Sequence, residues 1–400
     1  MDPRRRYRSP VRNRYLDILR AAAIVRVVVY HLFGWPWLSL VFPAMGVMFA
    51  VAGSLTAASL QKRSAGRVVT SRLRRLLPPL WLLGAIAVPA MIATGWTLER
   101  GGTHPYDQWK LIFWILPLDD PPGSELAIDA WETLWYIRAY LWFVLLSPML
   151  WAAWRTLGGA AWLLVAAPVV AIAAIDRSGF ELPGSLDTVM WDLVTFGACW
   201  IAGFAHRDGL LAKLRPRTLL TAVVVLGGAA LYWQSGHPGD EHPWDLNDVP
   251  ESQALWSLAF VLVVLRWQPD VTGLARFRPL SRAVEVLNSR AVTVYLWHNL
   301  AIAAIWPLLT WLAVDDLGHF EKPVTLVAAV LLTVVAVVAF GWAEDLAAKR
   351  PARLWPPAGR EPEEPDLPVA GRAPDTVRIP RHRAPSSLPV RFTGSDGKGH

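Results

Sequence analysis

The chain has 400 residues, of which 54% are hydrophobic, with a net charge of +7 and a single cysteine. One cysteine excludes an internal disulfide and a metal centre built from several cysteines. A positive charge can indicate a nucleic-acid partner. Here the basic residues lie in alternate loops between apolar stretches, which is the pattern of membrane topology. We therefore expect a lipid bilayer, and no nucleic acid, among the partners.

Ten apolar stretches follow one another, most of them near the length of about 17–25 residues that crosses a bilayer. Lipid admits only helices and closed barrels, and uninterrupted stretches of this length indicate helices. Tryptophans concentrate at their ends, as in interfacial belts. The sequence predicts an all-α integral membrane protein, a bundle of about ten transmembrane helices. The predicted spans are 16–34, 38–60, 80–97, 131–153, 160–175, 189–205, 218–234, 251–267, 291–313 and 323–342.

Lysine and arginine distinguish the two sides of this bundle. They concentrate at the N-terminus and in the loops after the second, sixth and eighth stretches, whereas the intervening loops carry acidic pairs. The positive-inside rule places the basic loops and both termini in the cytoplasm. An even number of spans agrees with that orientation.

Residues 348–400 differ in composition from the rest of the chain. They are rich in proline, glutamate and arginine and end in glycine and serine. Such a sequence buries too little apolar surface to fold on its own. We predict a membrane domain at 1–347 and a disordered, Pro/Arg-rich cytoplasmic tail at 348–400.

The first apolar stretch contains ionisable residues, which inside a membrane normally face the protein interior and mark function. At about 100° per residue, Asp17, Arg20 and His31 share one helix face and Arg26 points to the opposite side. Asp17 and Arg20 can pair and hold the cytoplasmic end of the helix. His31 lies about 21 Å farther along the helix axis than Asp17. A histidine can take a proton from a hydroxyl and return one, although an interfacial His31 with no catalytic role is the alternative.

Arg72 and Arg75 form a second candidate site, just before Pro78-Pro79. Two arginines three residues apart share a helix face and can clamp phosphates. A cluster that only sets membrane orientation is the alternative. We expect Pro78 to begin the third span, because proline is common at the first position of a helix.

Four stretches, taken in order, resemble the motifs of acyltransferase family 3, integral membrane proteins that include many O-acetyltransferases of bacterial polysaccharides and antibiotics. The resemblance covers about residues 12–345. The matching stretches are Arg14-x-x-Asp17-x-x-Arg20 running to Tyr30-His31, Gly46-Val47-Met48-Phe49 with Gly53, Arg72-x-x-Arg75-Leu76-Leu77-Pro78-Pro79, and Tyr295-Leu296-x-His298.

The resemblance implies that His31 is the catalytic histidine and that Arg72 and Arg75 are an essential pair engaging the acyl donor. It implies supporting roles for Asp17, Arg20, Tyr295 and His298, with His298 as a hydrogen-bonded core histidine the alternative. The expected donor is acyl-CoA, in particular acetyl-CoA, with no bound cofactor and no metal. The expected acceptor is a hydroxyl of a saccharide or of another cell-envelope or secondary-metabolite compound, and the expected location is a bacterial inner membrane.

A different class of protein stays open from the sequence. A carrier or flippase for a sugar-linked lipid or a small solute would also need many spans with buried charges. Such proteins usually contain inverted repeats with interrupted helices at matching places, and the sequence reveals no such pairing. An inactive scaffold of the same fold is a third reading.

Overall fold

The computed structural model describes residues 14–98, 104–239, 242–314 and 316–357. Within these ranges the chain is helical and contains no β-strand, so the all-α prediction is confirmed. The helices are α1 (Arg14–Phe33), α2 (Trp37–Val41), α3 (Ala44–Leu60), α4 (Ala65–Ala93), α5 (Ile128–Trp131), α6 (Trp135–Leu157), α7 (Trp162–Ser178), α8 (Ser185–Arg207), α9 (Leu210–Lys213), α10 (Pro216–Gly236), α11 (Pro250–Arg266), α12 (Thr272–Arg276), α13 (Arg278–Ser289), α14 (Ala291–Ala303), α15 (Ile305–Trp311), α16 (Glu321–Phe340) and α17 (Trp342–Ala347).

Fewer helices than predicted are long and apolar enough to cross a membrane. Among the described residues six segments qualify, and the pair α14 and α15, bent by 44°, makes a seventh. The prediction of about ten spans exceeds this count. The three remaining stretches do fold as helices, but α1 carries Asp17, Arg20 and Arg26, while α7 and α11 have 17 residues each, the lower limit of about 17 for a span.

Proline residues move two of the predicted boundaries. The predicted span 38–60 is divided into α2 and α3, because Phe42 is extended and Pro43 follows it, as expected for a residue before proline. The prediction that Pro78 begins the next span is wrong. Helix α4 begins at Ala65 and continues through Pro78 and Pro79, which membrane helices tolerate where neighbours satisfy the freed carbonyls.

Helix α8 lies at the centre of the bundle, in contact with α3, α6, α7 and α11. Glycines let it approach α3 closely: a Cβ at Gly53 would lie 2.2 Å from the carbonyl oxygen of Trp200, and one at Gly203 would lie 2.2 Å from that of Ala50. Small residues at such contacts are the usual way in which membrane helices pack. Gly53, part of the second matching stretch, therefore has a packing role.

Helix α13 is a surface element that the sequence analysis treated as loop. It has no buried residue and keeps Phe277 and Leu280 exposed beside its arginines. A helix with apolar and basic faces fits the interface between lipid and water. The Nδ2 atom of Asn288 donates to the carbonyl of Asp17 at 2.8 Å, so α13 ties the start of α1 to the start of α14.

The compact unit extends to Pro356, beyond the predicted boundary at 347. Residues 348–356, which we call the C-terminal hook, fold back on α17. The backbone N–H of Arg350 donates to the carbonyl of Asp345 at 2.8 Å, and that of Arg353 donates to the Asp345 carboxylate at 3.2 Å. The rest of the predicted disordered tail, from residue 358 onward, lies outside the described residues, and its disorder stays a prediction.

We expect Gly53→Leu to reduce the folded protein sharply, because the larger side chain forces α3 and α8 apart. Overpacking of this kind costs about 1–3 kcal/mol or more. The measurement is the monodisperse fraction in detergent after heating. Gly66→Leu is the matched control, since nothing lies within 4 Å of a Cβ at that position. Equal loss of folded protein in both variants, or no loss in either variant, contradicts the close contact at Gly53.

Candidate active site

The structure brings His31 and His298 together. Their rings lie 5.1 Å apart between centroids at an interplanar angle of 64°, although 267 residues separate them in sequence. His31 is exposed near the end of α1, and His298 is 0% exposed within α14. Two predicted site residues therefore form one histidine pair with an open member and an enclosed member.

Hydrogen bonding fixes the protonation pattern of His298 in its neutral form. Its Nδ1 lies 2.6 Å from the carbonyl oxygen of Tyr295. Because a carbonyl only accepts, Nδ1 carries the proton and Nε2 is left as an acceptor. That buried Nε2 has no hydrogen-bond partner among the described residues. His298 thus offers a lone pair at the site, and the alternative of a hydrogen-bonded core histidine stays open.

Tyrosine rings extend from this pair along the inside of the bundle. Tyr295 lies 5.5 Å from His298 and 4.9 Å from Tyr136, and Tyr136 lies 6.2 Å from Tyr140. The hydroxyl of Tyr295 donates to the carbonyl of Thr133 at 2.7 Å, which holds its ring in place. We call Tyr295, Tyr136 and Tyr140 the tyrosine row.

The arginines lie at the other end of the row. Arg75 is exposed on α4 and Arg72 is half-buried, and electrostatic interaction links Arg75 to Tyr140. Neither arginine contacts the histidine pair in the described structure. The arginines belong to the end of the bundle where α17 packs against α4 and where Arg290 precedes α14. From Arg290, His298 is about 12 Å farther along the helix.

The supporting residues of α1 occupy the same end as the arginines. Arg20 faces the interior, where its charge acts on Tyr136 and on Glu344. The carbonyl of Asp17 accepts from Asn288, which fixes the start of α1. The pairing of Asp17 with Arg20 stays a prediction.

Arg26 is buried on the second face of α1. Although it lies on the opposite face of α1 from His31, it is 7% exposed, because α2 covers it. Its Nε donates to the carbonyl of Leu38 at 3.3 Å, and its guanidinium carbon lies 4.7 Å from the centroid of the Tyr30 ring. Tyr30 in turn donates to Asp245 at 2.6 Å. The loop before α11 thus covers this side of the site, which the sequence did not reveal.

Arg138 is buried between two carboxylates, Asp120 and Asp192. The sequence did not predict this cluster. The Nη2 of Arg138 lies 2.7 Å from Asp192 Oδ2, and Arg138 Nη1 also donates to Asp120. Burial raises the pKa of the Asp120 carboxyl, and the charge of Arg138 opposes that rise. The arginine ties the loop before α5 to α6 and α8.

The described residues thus form a helical membrane bundle with a histidine pair at one place and a group of arginines without ion pairs at another. The chain matches the acyltransferase domain of acyltransferase family 3 over residues 13–342. It therefore belongs to that family, and the resemblance drawn from the four motifs is confirmed. Neither a curated protein nor a solved structure matches the chain.

We expect Arg138→Met to destabilise the protein by about 3–5 kcal/mol, because it leaves two carboxylates without their cation. Thermal unfolding in detergent measures the change. Arg155→Met, at the exposed end of α6, is the control and should change little. Adding Asp192→Asn to Arg138→Met should recover part of the loss, and a further loss in that double variant would contradict the pairing.

Proposed function

We propose that the protein is an inner-membrane O-acyltransferase of bacteria that moves an acetyl group from acetyl-CoA to a hydroxyl of a saccharide or another cell-envelope or secondary-metabolite acceptor. Membership of acyltransferase family 3 supports the reaction class. The observation that carries the mechanism is the tyrosine row, which runs from His298 to Tyr140, the tyrosine that interacts electrostatically with Arg75.

The donor binds with its nucleotide phosphates at Arg72 and Arg75. Arginine suits phosphate because its planar fork of donors matches two oxygens at once. The long, thin pantetheine arm then extends along the tyrosine row, whose rings lie in van der Waals range of one another. This path carries the thioester carbonyl from the arginine end toward His298 and His31.

Transfer needs a base at the acceptor hydroxyl, which is a weak nucleophile while it keeps its proton. His31 removes that proton, the oxygen attacks the thioester carbonyl, and the C–S bond breaks as the C–O ester bond forms. The proton passes from His31 to the departing thiolate of coenzyme A. His298 Nε2, as an acceptor, orients His31 or the acceptor hydroxyl. A covalent acyl group on His31 is the variant in which transfer takes two steps.

For topology we propose ten spans with both termini in the cytoplasm. The seven spans by length and hydropathy are completed by α1, α7 and α11, whose charges or short length place them at the limit of the criterion. Burial supports their inclusion, since α1 packs against α3 and α14, while α7 and α11 both pack against α8. The basic loops then face the cytoplasm, where acyl-CoA is present.

The carrier alternative has one supporting observation, the bend of 44° between α14 and α15, since transporters use interrupted helices at their binding sites. Dependence on the acyl-CoA supply separates the two functions. An enzyme requires the thioester for product formation, whereas a carrier moves its solute without it.

We expect His31→Ala to lower acetyl transfer about 100-fold or more, the usual contribution of a general base. Membranes with equal amounts of each variant are incubated with radiolabelled acetyl-CoA, and label is followed in lipid and saccharide fractions. His319→Ala, an exposed histidine next to α16, is the matched control. Full activity of His31→Ala contradicts the assigned role.

We expect Arg72→Ala and Arg75→Ala each to raise KM for acetyl-CoA at least about tenfold, because each removes a charge-assisted contact to phosphate. Arg67→Ala, exposed on the same helix, should leave KM near the wild-type value. An equal rise in all three variants would indicate a general effect of surface charge and would oppose a specific pair.

A further inference from the structure

A third arginine stands beside the predicted pair. The hook carries Arg350, and α17, from which the hook continues, packs against α4. Within this cluster the charges of Arg72, Arg74 and Arg350 all act on Arg75. Four cations thus come together from two separate parts of the chain.

No ion pair neutralises these four cations among the described residues. The buried Nε of Arg74 also lacks a hydrogen-bond partner there. Like charges at short range repel each other unless an anion lies between them. By contrast, Arg138 and Arg290, each 1% exposed, have carboxylate partners. The four cations of the cluster therefore lack the carboxylate partners that these two arginines have.

The position of Arg350 is fixed by a buried ion pair. Arg290, 1% exposed, donates through Nη2 to Asp345 Oδ2 at 2.6 Å and to the carbonyl of Arg353 at 3.1 Å. Asp345 accepts from the backbone of both Arg350 and Arg353. The hook is thus held at both ends of its turn, with the backbone N–H of Arg350 engaged by Asp345 and the charge of its side chain acting on Arg75 of α4.

We propose that Arg350 is a third ligand of the donor phosphates, so that the C-terminal hook completes the acyl-CoA site. This inference rests on the proposed function and extends it. Coenzyme A carries a diphosphate and a separate ribose phosphate, and a single pair of adjacent arginines does not span both. An arginine that approaches from a second element of the bundle supplies the missing contact.

The test is direct binding of coenzyme A to the full chain in phosphatidylcholine nanodiscs, which needs no knowledge of the acceptor. Arg350→Ala should raise the Kd for coenzyme A about tenfold or more, since it removes a charge-assisted contact. Binding of pantetheine, which lacks the nucleotide phosphates, should not change. Arg353→Ala is the matched control, because the hook uses only the backbone of that residue.

Each outcome decides the inference. An unchanged Kd in Arg350→Ala, with loss of binding in Arg72→Ala, overturns the role of Arg350 and leaves the proposed function intact. Equal loss in Arg350→Ala and Arg353→Ala overturns it in favour of general surface charge. An Arg350 effect on thermal stability that requires phosphatidylglycerol, without an effect on coenzyme A, overturns it in favour of an anionic lipid headgroup. If the wild type binds no coenzyme A, the proposed donor itself is wrong.

Discussion

The buried ion pair between Arg290 and Asp345 is the constraint on which both ends of the site depend. Arg290 immediately precedes α14, the helix that carries Tyr295 and His298, and Asp345 holds the hook that carries Arg350. Glu344 strengthens the same junction by accepting from the backbone and the hydroxyl of Thr293, at 2.7 and 2.6 Å. Loss of one partner would leave a charge buried without compensation, which is far more costly than loss of a surface pair. The pair thus sets the position of α14 relative to the arginine end.

Gly341 explains how so large a side chain as Arg290 fits there. A Cβ at position 341 would lie 2.9 Å from both Cδ and Nε of Arg290, so the end of α16 gives room for the guanidinium. The same principle holds α3 against α8 through Gly53 and Gly203. In both places the absence of a side chain permits the contact.

The sequence predicted most of the helices, because a long apolar stretch in a membrane protein has few alternatives to a helix. It predicted the residues of the site less completely. His31 and His298 were each named, but their contact depends on the packing of α1 against α14, which no local pattern encodes. Arg26 was placed on the face opposite His31, but what covers it was not predicted, because the short helix α2 was merged with α3. Glu344 and Asp345 follow the last apolar stretch directly, and two acids at the end of a span were the available signal for the junction with Arg290.

The separation of the two ends of the site bears on how such a reaction keeps water out. If the arginines and the histidine pair were adjacent, the phosphates would bring their hydration into the place where the thioester reacts. Instead the tyrosine row lies between them, and Tyr136 and Tyr295 are 8% and 6% exposed. The proposed donor would bind by its charged end in a wet, basic cluster and react at its other end in a drier one. Electrostatic contacts are stronger where water is excluded, and hydrolysis of the thioester is slower there. In the proposed reaction, the exposed position of His31, at the far end of α1 from Arg20, would let a hydroxyl acceptor reach the acyl group without crossing the donor's path.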